Sequence, residues 1–421
     1  MAIVTNGRLE YEMSTIDVTY PDVGKVTYRG SYPLIVSNQW TPPAPPAPPP
    51  QVCTDCLTFT GKDSEFTLKA TNKTWDGTLE WSTDQRNWTA LADTEEMQSV
   101  DKKLYLRGKG NTKFFANSKG TQWVLSEKAD CTGNIQTLLD WENPPTSINE
   151  RSCYKRMFFK CTNLATAPEL PATTLTDDCY FEMFNGCTNL TTAPKLPATT
   201  LAIYCYFNMF NGCTNLTSAP ELPATTLVLG CYYEMFEGCI GLTSAPALPA
   251  TTLAGDCYEG MFSKCTNLTS APVLPATTLG AGCYSRMFSD CINLASAPVL
   301  PATDLSLPDN CYSGMFLNCT SLTTPPVLPA TTLAQYCYDA MFWGCTSLTT
   351  APELPATTLA DGCYKAMFVG CKKLKVNATS GNKIFTCPST IPTEAVTRMF
   401  DNTGGEFIGT PTAGTTYYWT E

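Results

Sequence analysis

The residues of this chain with the most chemical potential are its cysteines, 22 in all, in a sequence with no histidine. Two of them stand as Cys53-x-x-Cys56, and most others come as pairs eight residues apart, from Cys153 with Cys161 to Cys363 with Cys371. Thiols can attack, cross-link or bind metal. Nucleophilic attack usually needs a neighbouring base, and without His the common triads are missing. Zinc sites made of Cys alone show two C-x-x-C knuckles, and only Cys53 and Cys56 form one, so no metal and no other cofactor is expected. That pair stays open between a disulfide, a ligand pair and structural thiols. Along a short helix, eight residues span roughly 10 to 12 Å, beyond the roughly 7 Å a disulfide allows. The pairs therefore read as two rows of reduced, buried thiols packing as small hydrophobes.

Other chemistry is as sparse. No G-x-x-x-x-G-K-[ST] loop and no G-x-S-x-G elbow occurs. The glycine-rich "GKGNTKFF" of residues 108–115 has no following helix and reads as a hairpin turn, and Asp177 and Asp178 fall in a variable loop. The chain is read as a non-enzyme.

The elements that carry the cysteines are copies of one unit, starting at Cys153, Cys179, Cys205, Cys231, Cys257, Cys283, Cys311, Cys337 and Cys363. The spacing is 26 residues, stretched to 28 once by a two-residue insertion in "DLSLPDN", which must then sit in an exterior loop. The consensus is C-Y-x-x-M-F-x-x-C-T-N-L-T-x-A-P-x-L-P-A-T-T-L-x-x-x. Cys179, Met183 and Phe184 at i, i+4 and i+5 predict a short helix, which Gly186 closes. Leu190 to Ala193 predicts a short strand that Pro194 and Pro197 end. One unit cannot bury its apolar face alone, so neighbours must stack. Comparing the copies separates core from surface. Cys, Met, Phe, Leu and Pro hardly change, while the residue before Leu-Pro runs Glu169, Lys195, Glu221, Ala247, Val273, Val299, Val327 and Glu353. These eight positions form the candidate partner-binding row, unless they are drifting solvent positions. The residues flanking each Cys-Tyr vary as well.

The string "MFNGCTNLTTAPKLPATTL", residues 183–201, resembles the BspA-type leucine-rich repeat of bacterial surface proteins, and the likeness runs over about residues 150–400. It departs from the common form by a second Cys and an extra residue before Leu-Pro. With its β-rich front part and its ending "GTPTAGTTYYW", the layout is similar to fibre and adhesin-like proteins of gut Bacteroides and their phages, crAss-like phages included. The resemblance implies adhesion or a virion-fibre role.

The rest of the chain supplies the setting. Residues 1–40 read as an extended anchor segment and 41–52 as a polyproline linker, either a passive spacer or a bundled stalk. Residues 53–130 alternate apolar and polar in short runs and predict a small antiparallel β-sandwich. Its Trp75, Trp81, Trp88 and Trp123 read as core, with a sugar-stacking platform as the alternative. Residues 131–152, with Ile135, Leu138 and Leu139 at helical spacing, predict an N-terminal cap for the repeats of 153–375, and 376–421 a C-terminal cap. The fold class expected is α+β: an antiparallel β-sandwich followed by a leucine-rich-repeat solenoid of nine 26-residue coils, each a short helix plus a short strand. A net charge of -11 argues against nucleic acid, no stretch is apolar enough for membrane insertion, and "MAIVTNGRLE" lacks the features of a secretory signal. The function expected is a phage virion structural protein, a head or tail fibre or decoration made in the host cytoplasm. It would touch other virion proteins through residues 1–40 and a host surface protein or glycan through the repeats. Fibres are commonly symmetric, so a homo-oligomer is expected. The alternative is a BspA-like adhesin at the bacterial cell surface.

Overall fold

A computed structural model describes residues 2–5, 8–11, 16–20, 24–28, 52–93, 95–116, 118–300 and 307–421. The polyproline stretch 41–51 and residues 301–306, which include the first three residues of "DLSLPDN", lie outside the described residues. The chain divides into two compact units, Met1–Gln51 and Val52–Glu421. In the first, β1 (Ala2–Thr5) pairs antiparallel with β2 (Arg8–Tyr11), and β3 (Ile16–Tyr20) with β4 (Gly24–Tyr28).

The second unit opens with strands β5 (Leu57–Gly61), β6 (Thr67–Ala70), β7 (Thr78–Ser82), β8 (Thr89–Ala90), β9 (Glu96–Gln98), β10 (Lys103–Lys109), β11 (Phe115–Ala116), β12 (Lys119–Gly120), β13 (Trp123–Leu125) and β14 (Ala129–Thr132). Alternation drives them. Leu57 and Phe59 of β5 lie opposite Leu106 and Leu104 of β10, and all four are fully buried. The larger sheet runs β15-β14-β5-β10-β7-β8 and the smaller β13-β6-β9, where β15 (Leu164–Thr166) belongs to the first repeat and pairs parallel with β14. The front part is thus not a closed antiparallel sandwich, because its sheet continues into the repeats. The helix expected at Ile135 is a four-residue 3-10 turn, Ile135–Leu138, capped by Asn134 and the only helix among the described residues.

The expected solenoid of helix-plus-strand coils is overturned. Among the described residues no copy contains an α-helix, and the predicted strand forms only as β15 in the first copy; elsewhere single residues, mostly threonines such as Thr166 with Thr192, make isolated parallel bridges. Two physical causes explain this. The A-P-x-L-P segment lacks the donors a strand ladder needs. The helical segment, for its part, has a period of four rather than 3.6: Asp178, Glu182 and Gly186 have φ of 54°, 51° and 74°, and the same three positions are left-handed in the other copies. A left-handed residue every fourth position cannot continue an α-helix.

What forms instead is a ladder of tight turns. Phe181, Met183, Asn185 and Cys187 donate their N–H groups to Asp178, Tyr180, Glu182 and Phe184 of the same unit at 3.0–3.2 Å. The alternate N–H groups, of Asp178, Tyr180, Glu182, Phe184 and Gly186, donate to Ile203, Cys205, Phe207, Met209 and Asn211 of the next unit at 2.8–3.0 Å. Half of the turn's donors are satisfied inside a unit and half only by its neighbour. The four-residue period turns Cys, Tyr, Met, Phe and the second Cys inward together, all at most 3% exposed in every copy from Cys153 to Cys371. Their rings stack unit to unit: the tyrosine column from Tyr154 to Tyr364 has centroids 5.7–6.0 Å apart, and the column from Phe158 to Phe400 has 5.4–5.9 Å, both in the offset-stacked range.

Both ends of the ladder are closed. At the start, Phe114 and Trp123 donate their N–H groups to the carbonyls of Cys153 and Met157. At the end lies a tenth copy, at Glu394 to Thr403: Tyr364, Ala366, Phe368 and Gly370 donate to Ala395, Thr397, Met399 and Asp401, and Glu394, Arg398 and Asn402 repeat the left-handed φ. The sheet of β16 (Lys375–Asn377), β17 (Asn382–Thr386), β18 (Gly404–Gly405) and β19 (Thr416–Thr420), ordered β17-β19-β16-β18, covers it, with buried Tyr417 5.7 Å from Phe400.

Candidate functional site

The row before Leu-Pro is built by local alternation. In the second copy Leu196 and Ala198 face inward, 3% and 1% exposed, so Lys195 and Pro197 must face outward. The same holds along the chain: Glu169, Lys195, Glu221, Ala247, Val273, Val299, Val327 and Glu353 are all exposed, the three valines by 82%, 81% and 78%. The row is charged at its ends and aliphatic in the middle. Shallow proline-walled grooves separate its members, one of about 440 Å3 at Lys195 and Glu221 and another of about 340 Å3 at Ala247 and Val273. Glu169 is tied through its backbone to Gly133 and Ile135, and Glu353 pairs with Lys383 at 3.5 Å. The other six members of the row take no part in ion pairs among the described residues.

The outer side of the turns, variable in sequence, carries a second arrangement. Lys155 sits 3.9 Å over Phe181, Phe181 stacks on Phe207 at 4.4 Å, and Phe207 stacks on Tyr233 at 4.7 Å. Next to Tyr233 come carboxyls: burial, with Glu237 adding, raises Glu234 to about 7, and burial with Asp256 raises Glu259 to about 7. The variation of these positions is visible in the sequence, but their stacking is not.

The cysteines pack. Cys53 and Cys56 form a disulfide with Cα atoms 5.5 Å apart, and the other twenty are free and buried. Burial pushes the thiols of Cys179 and Cys213 up to about 12, so the reactive thiolate is suppressed. The second Cys of each copy also donates its S–H to a phenylalanine carbonyl of the copy before, from Cys187 to Phe158 at 3.0 Å to Cys371 to Phe342 at 3.1 Å. Among the described residues no group of three Cys, Asp or Glu is placed to hold a metal ion, and no helix is long and apolar enough to cross a membrane. The tryptophans split. Trp75 and Trp123 are core, whereas Trp88 and Trp141 enclose the Arg107 guanidinium at 4.0 and 4.1 Å while Arg107 pairs with Glu80 at 2.7 Å. That arginine fills the space a sugar ring would need on Trp88.

Sequence reasoning passed over one further cluster, Lys372, Lys373 and Lys375 beside Trp419, although the string "CKKLK" in place of "CTNLT" was a visible signal. No family model, no curated protein and no solved structure matches the chain, so the likeness to BspA-type repeats stands on the repeat motif.

Proposed function

We propose that this chain is a non-enzymatic attachment protein, a structural component of a phage virion whose repeats offer the row from Glu169 to Glu353 to a host surface protein or glycan. In this reading residues 1–40 hold other virion proteins and the chain reaches the outside with the particle. One observation carries it: the row that changes from copy to copy before Leu-Pro is exposed, while the unchanging Cys, Tyr, Met, Phe and second Cys are buried. A stack of conserved rungs with changeable outer side chains suits recognition by an extended surface rather than by an enclosed pocket. A cell-surface adhesin is the second reading, favoured by the Cys53–Cys56 disulfide, because disulfides persist in oxidising compartments.

Mass spectrometry of purified particles from a phage-producing culture separates the two. Presence of the chain in virions supports the first reading, and its absence there with recovery in the bacterial envelope supports the second. Binding of the full chain to host cells, compared with a variant carrying Val273→Ser, Val299→Ser and Val327→Ser, tests the row. Unchanged binding would move the contact elsewhere.

A further inference from the structure

We propose that the C-terminal end of the ladder holds a separate site for a short acidic saccharide, one bearing carboxylate or sulfate groups, and that it stands whether or not the exposed row binds anything. The starting point is an internal comparison. At the two positions after the second Cys, and two further on, the eight earlier copies carry only Thr, Asn, Ser, Ala, Ile or Gly; the ninth carries Lys372, Lys373 and Lys375. Three new positive charges appear together in a chain whose net charge is -11. All three line one cavity of about 620 Å3, larger than the grooves of the row, with Thr349 and Trp419 on its other walls.

The fold fixes the arrangement. Lys372 and Lys373 leave the last full copy directly after Cys371, and Lys375 opens β16, where it lies opposite Thr420 while Val376 lies opposite Trp419. Trp419 packs partly on the core, is partly exposed, and is one of the residues that line the cavity. Lys375 donates to the main-chain oxygen of Glu421 at 2.7 Å, and Glu421 also lines the cavity. Lys372 and Lys373 are exposed and take no part in ion pairs among the described residues. Ammonium groups bind a carboxylate or sulfate as point charges, an indole face takes the apolar side of a sugar ring, and Thr349 adds a hydroxyl. A nucleic acid strand would also use lysine and tryptophan, but it needs a continuous basic track along its backbone, and here the basic residues end within one copy.

The test is calorimetric titration of the full chain with a sulfated heparin disaccharide, a galacturonic acid trisaccharide, a neutral galactose trisaccharide, inorganic sulfate and a short oligothymidylate. Binding of either acidic sugar at least tenfold tighter than of the neutral sugar, sulfate and the oligonucleotide is expected, weakening as salt rises. The variant Lys372→Thr, Lys373→Asn, Lys375→Thr restores residues found in the other copies, so it leaves the ladder intact, and it should lose at least tenfold in affinity. Trp419→Phe keeps a ring in the sheet and should weaken binding less. Equal affinity for neutral and acidic sugars, unchanged affinity in the lysine variant, preference for the oligonucleotide, or sulfate alone binding as tightly as the sugars would each overturn the proposal.

Discussion

The front sheets and the turn ladder share one core, yet they treat carboxylates in opposite ways. In the front part, Ser99 and the Lys102 N–H hold Glu65 below its usual range, and the N–H groups of Asn87 and Arg86 hold Asp84 far below it. In the ladder, burial raises Glu234 and Glu259 to about 7 and Asp339 to about 6. The cause is the backbone. Front loops such as Ser82 to Trp88 leave N–H groups free for side chains, and Asp84 takes two of them at 2.8 and 2.9 Å. The turns of the ladder give most of their N–H groups to the backbone of their own unit or the next. Asp177 and Asp309 still accept the N–H groups of Ile203 and Gln335, but Glu234 and Glu259 lie on the turns themselves, where burial and the neighbouring Glu237 and Asp256 raise them.

The largest test of this contrast removes a rung. Phe236→Ala takes out a fully buried ring that stacks 5.6 and 5.8 Å from its neighbours, and it should cost about 3–5 kcal/mol in urea unfolding. Val273→Ser, at 82% exposure, should stay within about 0.5 kcal/mol. A mild loss at Phe236 would mean the copies do not depend on one another. The next test is pH. A carboxyl raised in the folded state binds more protons there than when unfolded, so it favours folding at low pH. That contribution is lost as pH rises from about 4.5, the unfolded range, through about 7. The lowered acids of the front part do the reverse and lose their contribution as pH falls through about 4. The melting temperature should therefore peak near pH 5 and drop by roughly 2–4 °C towards pH 8, a modest change because half-exposed groups are screened. Glu234→Gln with Glu259→Gln should flatten the upper slope alone; an unchanged slope would place its origin elsewhere.

How much of this was legible differs between the regions for the same reason. Alternation marks a strand unambiguously, so Leu57 with Phe59 and Leu104 with Leu106 point to the front sheets directly. The repeat's length, inward residues and exposed row are also readable from the copies. Its backbone is not, because positions i, i+4, i+5 and i+8 suit a period of 3.6 nearly as well as one of four. What decides between them is the left-handed φ at Asp178, Glu182 and Gly186, and only the glycine advertises it. The tenth copy escaped because Ala395, Val396 and Thr403 replace its Cys, Tyr and Cys, leaving only Met399-Phe400 as a trace. The lysine cluster was visible as letters, but its meeting with Trp419 depends on the pairing of β16 with β19, which no local pattern encodes.

A substitution at one of these left-handed positions separates turn from helix by its sign. Lys160 is exposed with φ of 54°, and Gly186, Gly212 and Gly238 hold the same place in later copies. Lys160→Gly should stabilise the protein by up to about 1 kcal/mol, by relieving the left-handed strain of a side-chain-bearing residue. In an α-helix the same change would destabilise by a similar amount. A fall in the urea midpoint would therefore break the turn description of the repeats.

The smallest expected effect lies where the two regions meet. Tyr154, in the first copy, donates its hydroxyl to Gln136 of the front part at 2.7 Å, while the hydroxyl of Tyr180, one rung further in, is buried without a partner among the described residues. The rings are nearly equivalent, stacked 5.8 Å apart, so their Phe variants differ only in the hydroxyl's surroundings. Tyr154→Phe should cost about 1 kcal/mol, since it leaves a buried Gln136 oxygen unpaired. Tyr180→Phe should be neutral or slightly stabilising, because it removes a polar group that folding strips of water without replacement. Equal costs in a urea titration would show that the interior column satisfies its hydroxyls as the junction does, and the distinction between a polar junction and an apolar stack would fall.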